Sequence, residues 1–369
     1  MGTRIRALFI KEILAVWRDR KSRFVLIVPP LVQLFVFSYA ATYDVTNVPI
    51  AVLDQDRTAA SRELVSRFAA STTFTRILYL DHPSQIASIV DAKEAMMVVH
   101  IGADFERRLL RQPPAPVQLI LDGRMSNTAQ IVQGYANAVI TGFAHDRAAA
   151  AGLPGLPTTL VSRAWFNPNL ESLWVVVPGL VAVLTQVIGL VVTALSVARE
   201  RELGTFEQLL VTPLRPWEIL LGKTLPGLII GLAEGTVIVV AAVTWFGVPF
   251  TGSLLLLYAS LAVFLLAIIG VGLFISALAA TQQQAILGAF LFLVPAIVLS
   301  GFATPVENMP AWIQALTQAN PMRHFLVIVQ GVFLKDLPLI LVWAKLWPMM
   351  IIAAVTLSLA AWLFRHRLS

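Results

Sequence analysis

The sequence contains no cysteine and comparatively few charged residues. Without cysteine, the chain forms no disulfide bond and offers no thiolate ligand to a metal. Asp, Glu, Lys and Arg make up 13% of the residues, and hydrophobic residues make up 57%. Soluble domains average about 25% charged and about 45–50% apolar residues. This composition argues against a soluble globular protein and favours a membrane protein.

Residues typical of catalytic or metal sites are also scarce. The five histidines are scattered and form no pair with metal-ligand spacing. Gly222-Lys223-Thr224 resembles the end of a phosphate-binding loop, but Trp217 stands where that motif needs its first glycine. We therefore predict no catalytic residue, no bound cofactor and no metal in this chain.

Long apolar runs predict several membrane-spanning helices, since about 20 apolar residues span a bilayer. The six candidate spans are residues 24–42, 174–197, 225–246, 254–278, 284–303 and 343–364. Pro295 interrupts the fifth, as membrane helices tolerate. The first run also has a small-residue pattern, Ser38-Tyr39-Ala40, that a signal peptide would show. We interpret it as an uncleaved anchor, because a helical segment of 23 residues precedes it.

The distribution of positive charge predicts the orientation. Residues 1–23 carry seven Arg or Lys against two acids, and they have the apolar periodicity of an amphipathic helix on the inner surface. Arg365 and Arg367 follow the last span. We therefore expect a multi-pass protein of the bacterial inner membrane with both termini in the cytoplasm. The basic residues flank apolar runs, which indicates a lipid surface rather than a nucleic-acid partner.

The remaining segments were assigned from this topology. Residues 43–171 alternate short apolar runs with helical patterns, which predicts an extracytoplasmic α/β domain with some parallel strands. Asp54 and Asp56 within it are interpreted as helix-capping residues. Residues 172–369 form a five-span domain. It contains a cytoplasmic loop at 199–223 and an outer segment at 302–342, which either re-enters the membrane or lies on its surface.

Few polar groups interrupt the predicted spans. Glu234 lies near mid-bilayer, where an ionisable group is costly. It either lines a cavity that binds a cationic substrate or a proton, or it is a protonated or hydrogen-bonded group that holds two helices together. Gln186 and Thr193 are weaker candidates for a translocation path. Glycines recur every four residues along one stripe of the same predicted helix, at Gly227, Gly231 and Gly235. Such a stripe predicts that a neighbouring helix packs closely against it.

Several motifs, spread over the whole chain, occur in one order along this topology. They are Arg199-Glu-Arg-Glu-Leu-Gly-Thr205 with Glu207 and Pro213, Asn167-Pro-Asn169, Ser300-Gly301, Pro305-Val-Glu-Asn-Met-Pro310, Asn320-Pro-Met-Arg-His324, and Leu119-Ile-Leu-Asp-Gly-Arg124. In their combination the chain resembles the membrane subunit of a type-2 ABC exporter, of the subfamily with a large domain after the first span. No single motif is decisive.

The resemblance implies a fold and a set of partners. The fold would be a membrane all-α bundle of six transmembrane helices with an inserted α/β extracytoplasmic domain. Two permeases, identical or paralogous, would pair, and two cytoplasmic ABC ATPase subunits would bind ATP and Mg and dock beneath them. A periplasmic membrane-fusion adaptor would be a further partner.

The resemblance also implies roles for particular residues. Those that would contact the ATPase or brace the coupling helix are Glu200, Arg201, Glu202, Gly204, Thr205, Glu207 and Gln208. The outer gate would comprise Pro305, Glu307, Asn308, Pro310, Asn320 and Pro321. A substrate path between two permeases, chiefly along the second and fifth spans, would favour Gln186 over Glu234.

We therefore expect ATP-driven export of hydrophobic or amphipathic, drug-like substrates. A lipid-linked glycan is the second substrate class. The alternative from another functional class is a non-transporting mechanotransmitter, in which a partner ATPase drives the outer domain to act on a periplasmic protein.

Overall fold

A computed structural model describes residues 2–18, 20–40, 47–111, 115–150, 166–167, 171–204 and 216–367. The chain divides into two compact units. One comprises Met1–Thr42 with Ala164–Ser369, and the other comprises Tyr43–Arg163. The two units are described separately.

The helices and strands are as follows in chain order. They are α1 (Gly2–Arg18), α2 (Arg20–Ala40), β1 (Pro49–Asp54), α3 (Ala59–Ala70), β2 (Arg76–Tyr79), α4 (Gln85–Asp91), β3 (Met97–Ile101), α5 (Phe105–Arg111), β4 (Val117–Leu121), α6 (Ser126–Ala150), α7 (Leu173–Glu202), α8 (Pro216–Thr244), α9 (Leu254–Leu278), α10 (Gln282–Val298), α11 (Ala311–Leu316), α12 (Pro321–Lys335) and α13 (Leu339–Arg367).

The smaller unit contains a four-stranded sheet in the order β2-β1-β3-β4. β1 pairs in parallel with β2 and β3, and β4 pairs antiparallel with β3. Because side chains alternate along a strand, Ile50 and Val52 of β1 pack with α3, α5 and α6, whereas Ala51 and Leu53 pack with α4. Apolar residues therefore cover both faces of the sheet, as the near-continuous apolar runs of β1 and β3 indicate.

The turn after β1 corrects the predicted helix-capping role of Asp54. The N-cap of α3 is Thr58, whose side chain accepts a hydrogen bond from the backbone N–H of Ser61. Asp54 instead accepts hydrogen bonds from the backbone N–H groups of Asp56 and Arg57, both at 3.0 Å, and from the Ser61 hydroxyl. Asp54 therefore braces the turn, and Thr58 caps α3. Asp56 accepts a hydrogen bond at 3.0 Å from the backbone N–H of Glu106 in the first turn of α5, which agrees with a helix-capping role.

Asp122 and Arg124 fix the backbone after β4. The Arg124 Nε donates to Asp122 Oδ1 at 2.8 Å, and Arg124 Nη2 donates to Oδ2 at 2.8 Å. These hydrogen bonds, and one from the Arg124 backbone N–H, lower the pKa of Asp122 below its ordinary value. A carboxylate with a lowered pKa stabilises the folded state at neutral pH, and the stabilisation is lost as the pH falls through the folded-state pKa.

We therefore expect Asp122→Asn to destabilise the sheet at pH 7 and to matter less under acid conditions. Hydrogen exchange of Met97–Leu121, compared between variant and wild type at each pH, measures this. The difference in opening free energy should shrink below about pH 4, where an unfolded aspartate is protonated. A difference that stays constant from neutral to acid pH would contradict the assignment.

Four helices of the larger unit are long and apolar enough to cross a membrane within the described residues, namely α7, α8, α9 and α13. Residues 26–40 of α2 and helix α10 are apolar but shorter. Helix α7 is the core of the bundle, since 78% of its most apolar stretch is buried against 17% for α13.

The helices on both sides extend into the predicted loop at 199–223. Helix α7 continues to Glu202, and α8 already begins at Pro216. Charge alone does not end a helix, because Arg, Glu and Lys have high helix propensities. Of the predicted N-terminal helix, 1–23, the described residues Gly2–Arg18 form α1, and Arg20–Arg23 belong to α2.

The glycine stripe of α8 allows close contact with two helices. A Cβ atom on Gly227 would lie 2.8 Å from Thr193 of α7, and one on Gly231 would lie 2.7 Å from Leu265 of α9. A Cβ on Gly235 would lie 2.6 Å from Leu261. The geometry confirms the packing role that was predicted for these glycines.

Substitution at Gly231 tests this packing. We expect Gly231→Ala to lower the opening free energy of α8 by about 1–3 kcal/mol, the usual cost of overpacking. Gly134→Ala in α6 is the control, since its Cβ meets nothing within 4 Å. That variant should raise the stability of α6 by about 1 kcal/mol through helix propensity. Hydrogen exchange measures each helix separately, and equal protection of α8 in wild type and Gly231→Ala would contradict the packing role.

The loops lie at two ends of the bundle. At one end, the segment before α9 is hydrogen-bonded to the last turn of α12. The backbone N–H groups of Thr251 and Gly252 donate to the carbonyl oxygens of Phe333 and Val332 at 3.0 and 2.9 Å. At the other end, the end of α7 contacts the turn between α9 and α10. That second end contains α1 and the predicted coupling segment, and we refer to it as the α1 end.

Candidate functional site

The end of α7 positions the described part of the predicted coupling segment. Glu200, Arg201 and Glu202 form the last turn of α7, and Gly204 follows its C-cap residue Leu203. Three further predicted coupling residues lie outside the described residues; they are Thr205, Glu207 and Gln208. The structure therefore describes only the start of the predicted coupling segment.

Four charged side chains alternate in sign at the α1 end. Lys11 Nζ lies 2.7 Å from Glu200 Oε1, and Lys223 Nζ lies 2.8 Å from Glu200 Oε2 and 3.0 Å from Glu12 Oε1. Lys223 Nζ also donates to Ser196 Oγ at 3.1 Å. We refer to these five residues as the charged cluster. Since α1, α7 and α8 all contribute, the cluster joins three helices.

Burial makes this cluster costly to disrupt. The side chain of Lys223 is fully buried, and those of Glu200 and Glu12 are only 10% and 14% exposed. Removal of one member of a buried ion pair leaves an uncompensated charge, which typically costs about 3–5 kcal/mol. The cluster therefore favours one relative position of the three helices.

Gly222 brings α1 close enough to form the cluster. A Cβ atom at this position would lie 2.2 Å from Leu8 of α1, so only glycine allows the observed approach. The triplet Gly222-Lys223-Thr224 resembles the end of a phosphate-binding loop only in sequence, and its role here is structural. Its glycine contacts α1, its lysine joins the cluster, and its threonine donates to Leu220 O at 2.8 Å.

Arg201 and Glu202 form hydrogen bonds with the turn between α9 and α10. Arg201 Nη1 donates to the carbonyl oxygens of Ala277 and Ala279 at 2.8 and 3.1 Å, at the C-terminal end of α9. Glu202 Oε2 accepts a hydrogen bond from the backbone N–H of Gln282 at 2.9 Å, at the start of α10. Each charge complements the partial charge of the helix end that it contacts. The geometry supports a bracing role for both residues.

Gly204 ends α7 through its backbone conformation. Its φ is +69°, and its N–H donates to Arg201 O at 3.0 Å. A left-handed residue at this position is the common way to end a helix, and glycine adopts it without steric cost. Gly204 thus sets the direction in which the chain enters residues 205–215.

The predicted path residues do not share one site. The Gln186 side chain is fully buried, and its amide oxygen and nitrogen have no hydrogen-bond partner within the described part of the chain. Thr193 Oγ1 donates to Gly189 O of its own helix at 2.6 Å, and its methyl group contacts α8. Glu234 lines a cavity between α1, α2, α7 and α8, and neither Gln186 nor Thr193 lines it.

The predicted outer gate forms a compact helical hairpin. Pro305 and Pro310 precede a 3₁₀ turn (Val306–Asn308) and α11, and Glu307 and Asn308 lie within that turn. Asn320 caps α12, because its side chain accepts a hydrogen bond from Met322 N–H and donates to Ala296 O at 2.7 Å.

Helix α12 itself is largely buried. Pro321 starts it, and most of its residues pack against α7, α9 and α13. Phe325 of α12 stacks on Phe264 of α9 with ring centroids 4.6 Å apart. This burial favours the re-entrant alternative over a helix lying on the membrane surface.

Sequence reasoning missed four members of the charged cluster. Lys11, Glu12, Ser196 and Lys223 were read as parts of an amphipathic helix, an apolar span and a solvated loop. One signal was available, because Glu12 is the single acidic residue in the basic helix α1. The pairing itself depends on which helices are neighbours, and spacing along the chain does not reveal that.

Comparison with known proteins assigns the chain to a family. A family model described as ABC-2 family transporter protein matches residues 20–362. The chain therefore belongs to the ABC-2 transporter family, which confirms the resemblance inferred from the motifs. It is a multi-pass membrane protein and a transporter subunit rather than an enzyme.

Three relatives match over nearly their whole length. "Probable multidrug ABC transporter permease YbhR" of Escherichia coli strain K12 is 44% identical over 367 residues, with 100% of both chains covered. "Probable multidrug ABC transporter permease YbhS" of the same strain is 35% identical over 371 residues, covering 99% of this chain and 97% of that protein. "Inner membrane transport permease YhhJ" of that strain is 28% identical over 365 residues, with 96% and 95% covered.

The charged cluster predicts a specific defect in Lys223→Met. The variant leaves Glu12 and Glu200 without their shared cation, so we expect a destabilisation of about 3–5 kcal/mol. Hydrogen exchange should show faster exchange of Gly2–Arg18, because α1 loses its attachment. Lys345→Met in α13 replaces a half-buried lysine outside the cluster and should change stability by less than about 1 kcal/mol. Unchanged exchange of α1 in Lys223→Met would show that the cluster does not hold this helix.

Proposed function

We propose that this chain is the membrane-spanning permease subunit of an ATP-driven ABC exporter. It moves hydrophobic or amphipathic, drug-like molecules out of the cytoplasm or the inner leaflet. The substrate class follows the names of the YbhR-type and YbhS-type relatives, which describe multidrug permeases. In this proposal the chain binds no nucleotide, and partner ATPase subunits bind ATP and Mg.

The observation that carries this proposal is the bracing of α7 directly before residues 205–215. Arg201 and Glu202 bond the ends of α9 and α10, and Glu200 belongs to the buried charged cluster. A segment anchored in this way moves together with the bundle rather than independently of it. A partner that moves this segment would therefore displace several helices at once. ATP-driven transport needs such a link, because ATP can shift the permease between two conformations only if the contacts with the partner differ between them.

The proposed topology follows from the two ends of the bundle. The α1 end faces the cytoplasm, as the basic residues in 1–23 favour, so both termini lie inside. Helices α2, α7, α8, α9, α10 and α13 form six spans, and the sheet-containing unit lies outside the membrane as an inserted α/β domain. A total of six spans requires that the two shorter helices, α2 and α10, also cross the membrane. Local thinning of the bilayer, or flanking polar residues that reach its surface, would accommodate their length.

The proposed partners complete the transporter. A second permease, identical or paralogous, pairs with this chain, and two cytoplasmic ABC ATPase subunits contact residues 200–208, including Thr205, Glu207 and Gln208. A periplasmic membrane-fusion adaptor is a further candidate partner of the inserted domain. The hairpin from Pro305 to Pro321 serves as the outer gate, because it joins α10 to the buried helix α12.

Glu202→Ala tests the coupling role. The variant removes a charged acceptor from the start of α10, and such hydrogen bonds contribute about 1.5–3 kcal/mol. We expect at least about a tenfold loss of ATP-dependent substrate uptake into inverted vesicles, since about 1.4 kcal/mol corresponds to tenfold. The partner ATPase subunits should still co-purify. The control is Glu94→Ala, which replaces an exposed glutamate of the sheet-containing unit and should transport as the wild type does.

Two outcomes would argue against the proposal. Wild-type transport by Glu202→Ala would show that this brace does not couple ATP hydrolysis to movement. If no compound in a broad panel is taken up while ATP hydrolysis continues and the sheet-containing unit still changes state, the mechanotransmitter is the better assignment.

A further inference from the structure

A further candidate site surrounds Glu234, apart from the other two predicted path residues, Gln186 and Thr193. It is a cavity of about 380 Å³ between α1, α2, α7 and α8. Its lining is hydrophobic apart from two residues, Arg23 and Glu234. Pockets of this size, with mostly apolar walls and a few polar groups, are typical of sites for small organic ligands.

Glu234 presents an unpartnered carboxyl group to this cavity. Both of its oxygen atoms are buried and have no hydrogen-bond partner within the described residues. The neighbouring hydroxyl group on α8 behaves differently, since Thr236 Oγ1 donates to Leu232 O at 2.8 Å within the helix. Buried polar groups without partners are rare and costly. An ammonium group would supply the missing donor and the opposite charge.

Arg23 is the second polar residue of the lining and is partly exposed. Its Nε atom is buried without an acceptor, and among the described residues no ion pair joins Arg23 to Glu234. A guanidinium group in this position binds carboxylate or phosphate strongly. A ligand that carries both an ammonium and an anionic group would contact Glu234 and Arg23 at the same time. A ligand with only one of these groups would contact only one of the two residues.

The spacing of the two groups restricts the ligand further. Trp245 Nε1 donates to the Tyr39 hydroxyl at 3.2 Å, so the ends of α2 and α8 are level. At about 1.5 Å per residue, the Cα atom of Arg23 lies about 8 Å further from that shared end than the Cα atom of Glu234. A ligand whose ammonium and anionic groups lie towards opposite ends matches this offset. In a phospholipid headgroup they are adjacent, so a compact small molecule fits better than a lipid.

We propose that the cavity between α2 and α8 binds a hydrophobic zwitterion, with its ammonium group on Glu234 and its carboxylate or phosphate on Arg23. This inference rests on the proposed function, because it makes the cavity an entry site for a transported molecule. In the proposed orientation, α1 and the start of α2 lie at the cytoplasmic surface, so the ligand enters from the inner leaflet.

Norfloxacin is a suitable probe, since it is a fluorescent zwitterion with its ammonium and carboxylate at opposite ends. Two analogues serve as matched controls, because N-acetylnorfloxacin lacks the ammonium group and norfloxacin methyl ester lacks the carboxylate. Binding is measured by fluorescence anisotropy with the purified full-length permease in phosphatidylcholine nanodiscs, without ATPase subunits or ATP. We expect norfloxacin to bind at least about tenfold more tightly than either analogue, as expected for one charged hydrogen bond lost.

Protein variants assign the two contacts. Glu234→Gln should weaken norfloxacin binding about tenfold or more and should abolish the preference over N-acetylnorfloxacin. Arg23→Gln should instead abolish the preference over the methyl ester. Ala233→Trp fills the cavity and should remove binding, whereas Val240→Trp on the exposed side of α8 should not. Thermal stability, measured for each variant, separates loss of binding from loss of folding.

Several results would overturn the inference. They are no binding of norfloxacin, equal binding of its analogues, unchanged affinity in Glu234→Gln, or binding that survives in Ala233→Trp. Displacement of norfloxacin by phosphatidylethanolamine in the nanodiscs would make a lipid the occupant. Because the binding assay contains no ATPase, a failure to bind norfloxacin leaves the export proposal intact. If norfloxacin binds but no compound is exported, the cavity is a binding site and the export proposal fails by itself.

Discussion

The buried ammonium group of Lys223 is the constraint on which the rest of the larger unit depends. A lone charge in an apolar bundle is too costly to persist, so the fold must supply anionic partners from neighbouring helices. Glu12 and Glu200 provide them, and Lys11 compensates the second charge of Glu200. Helix α1 is thereby attached to the bundle at the contact where Gly222 meets Leu8. One electrostatic requirement thus fixes α1, the end of α7 and the start of α8.

The same end of the bundle links this constraint to function. Glu200 belongs to the cluster, and the two residues after it bond the ends of α9 and α10. The last turn of α7 therefore contacts four other helices directly or through the cluster. In a permease of the ABC-2 family, a soluble motor must act on membrane helices that it does not enter. A charged helix end that is rigidly joined to its neighbours is suited to transmit that movement, whereas a mobile loop would absorb it.

The sequence predicted the secondary structure closely but not the contacts between helices. Strands that alternate with helices were predicted within 43–171 from short apolar runs, and β1 and β4 occupy two such runs, Pro49–Asp54 and Val117–Leu121. Hydropathy predicted the spans on either side of 199–223 but not the helix ends, because residues that leave the membrane can remain helical. The roles of Lys223 and Glu12 were missed because ion pairing depends on three-dimensional neighbours. Glu234 was singled out as an ionisable residue within a span, and the structure adds that Arg23 lines the same cavity.

The central claim is that the end of α7 faces a partner ATPase. The absence of cysteine in the natural chain permits a direct test, because one introduced thiol is then unique in this chain. Leu203 is 65% exposed and directly follows the braced turn, so Leu203→Cys is the position of choice. A short bifunctional thiol-reactive reagent should crosslink this cysteine to the co-purified ATPase subunit. Labelling of the same cysteine in intact cells by a membrane-impermeant reagent, together with no crosslink, would contradict the account.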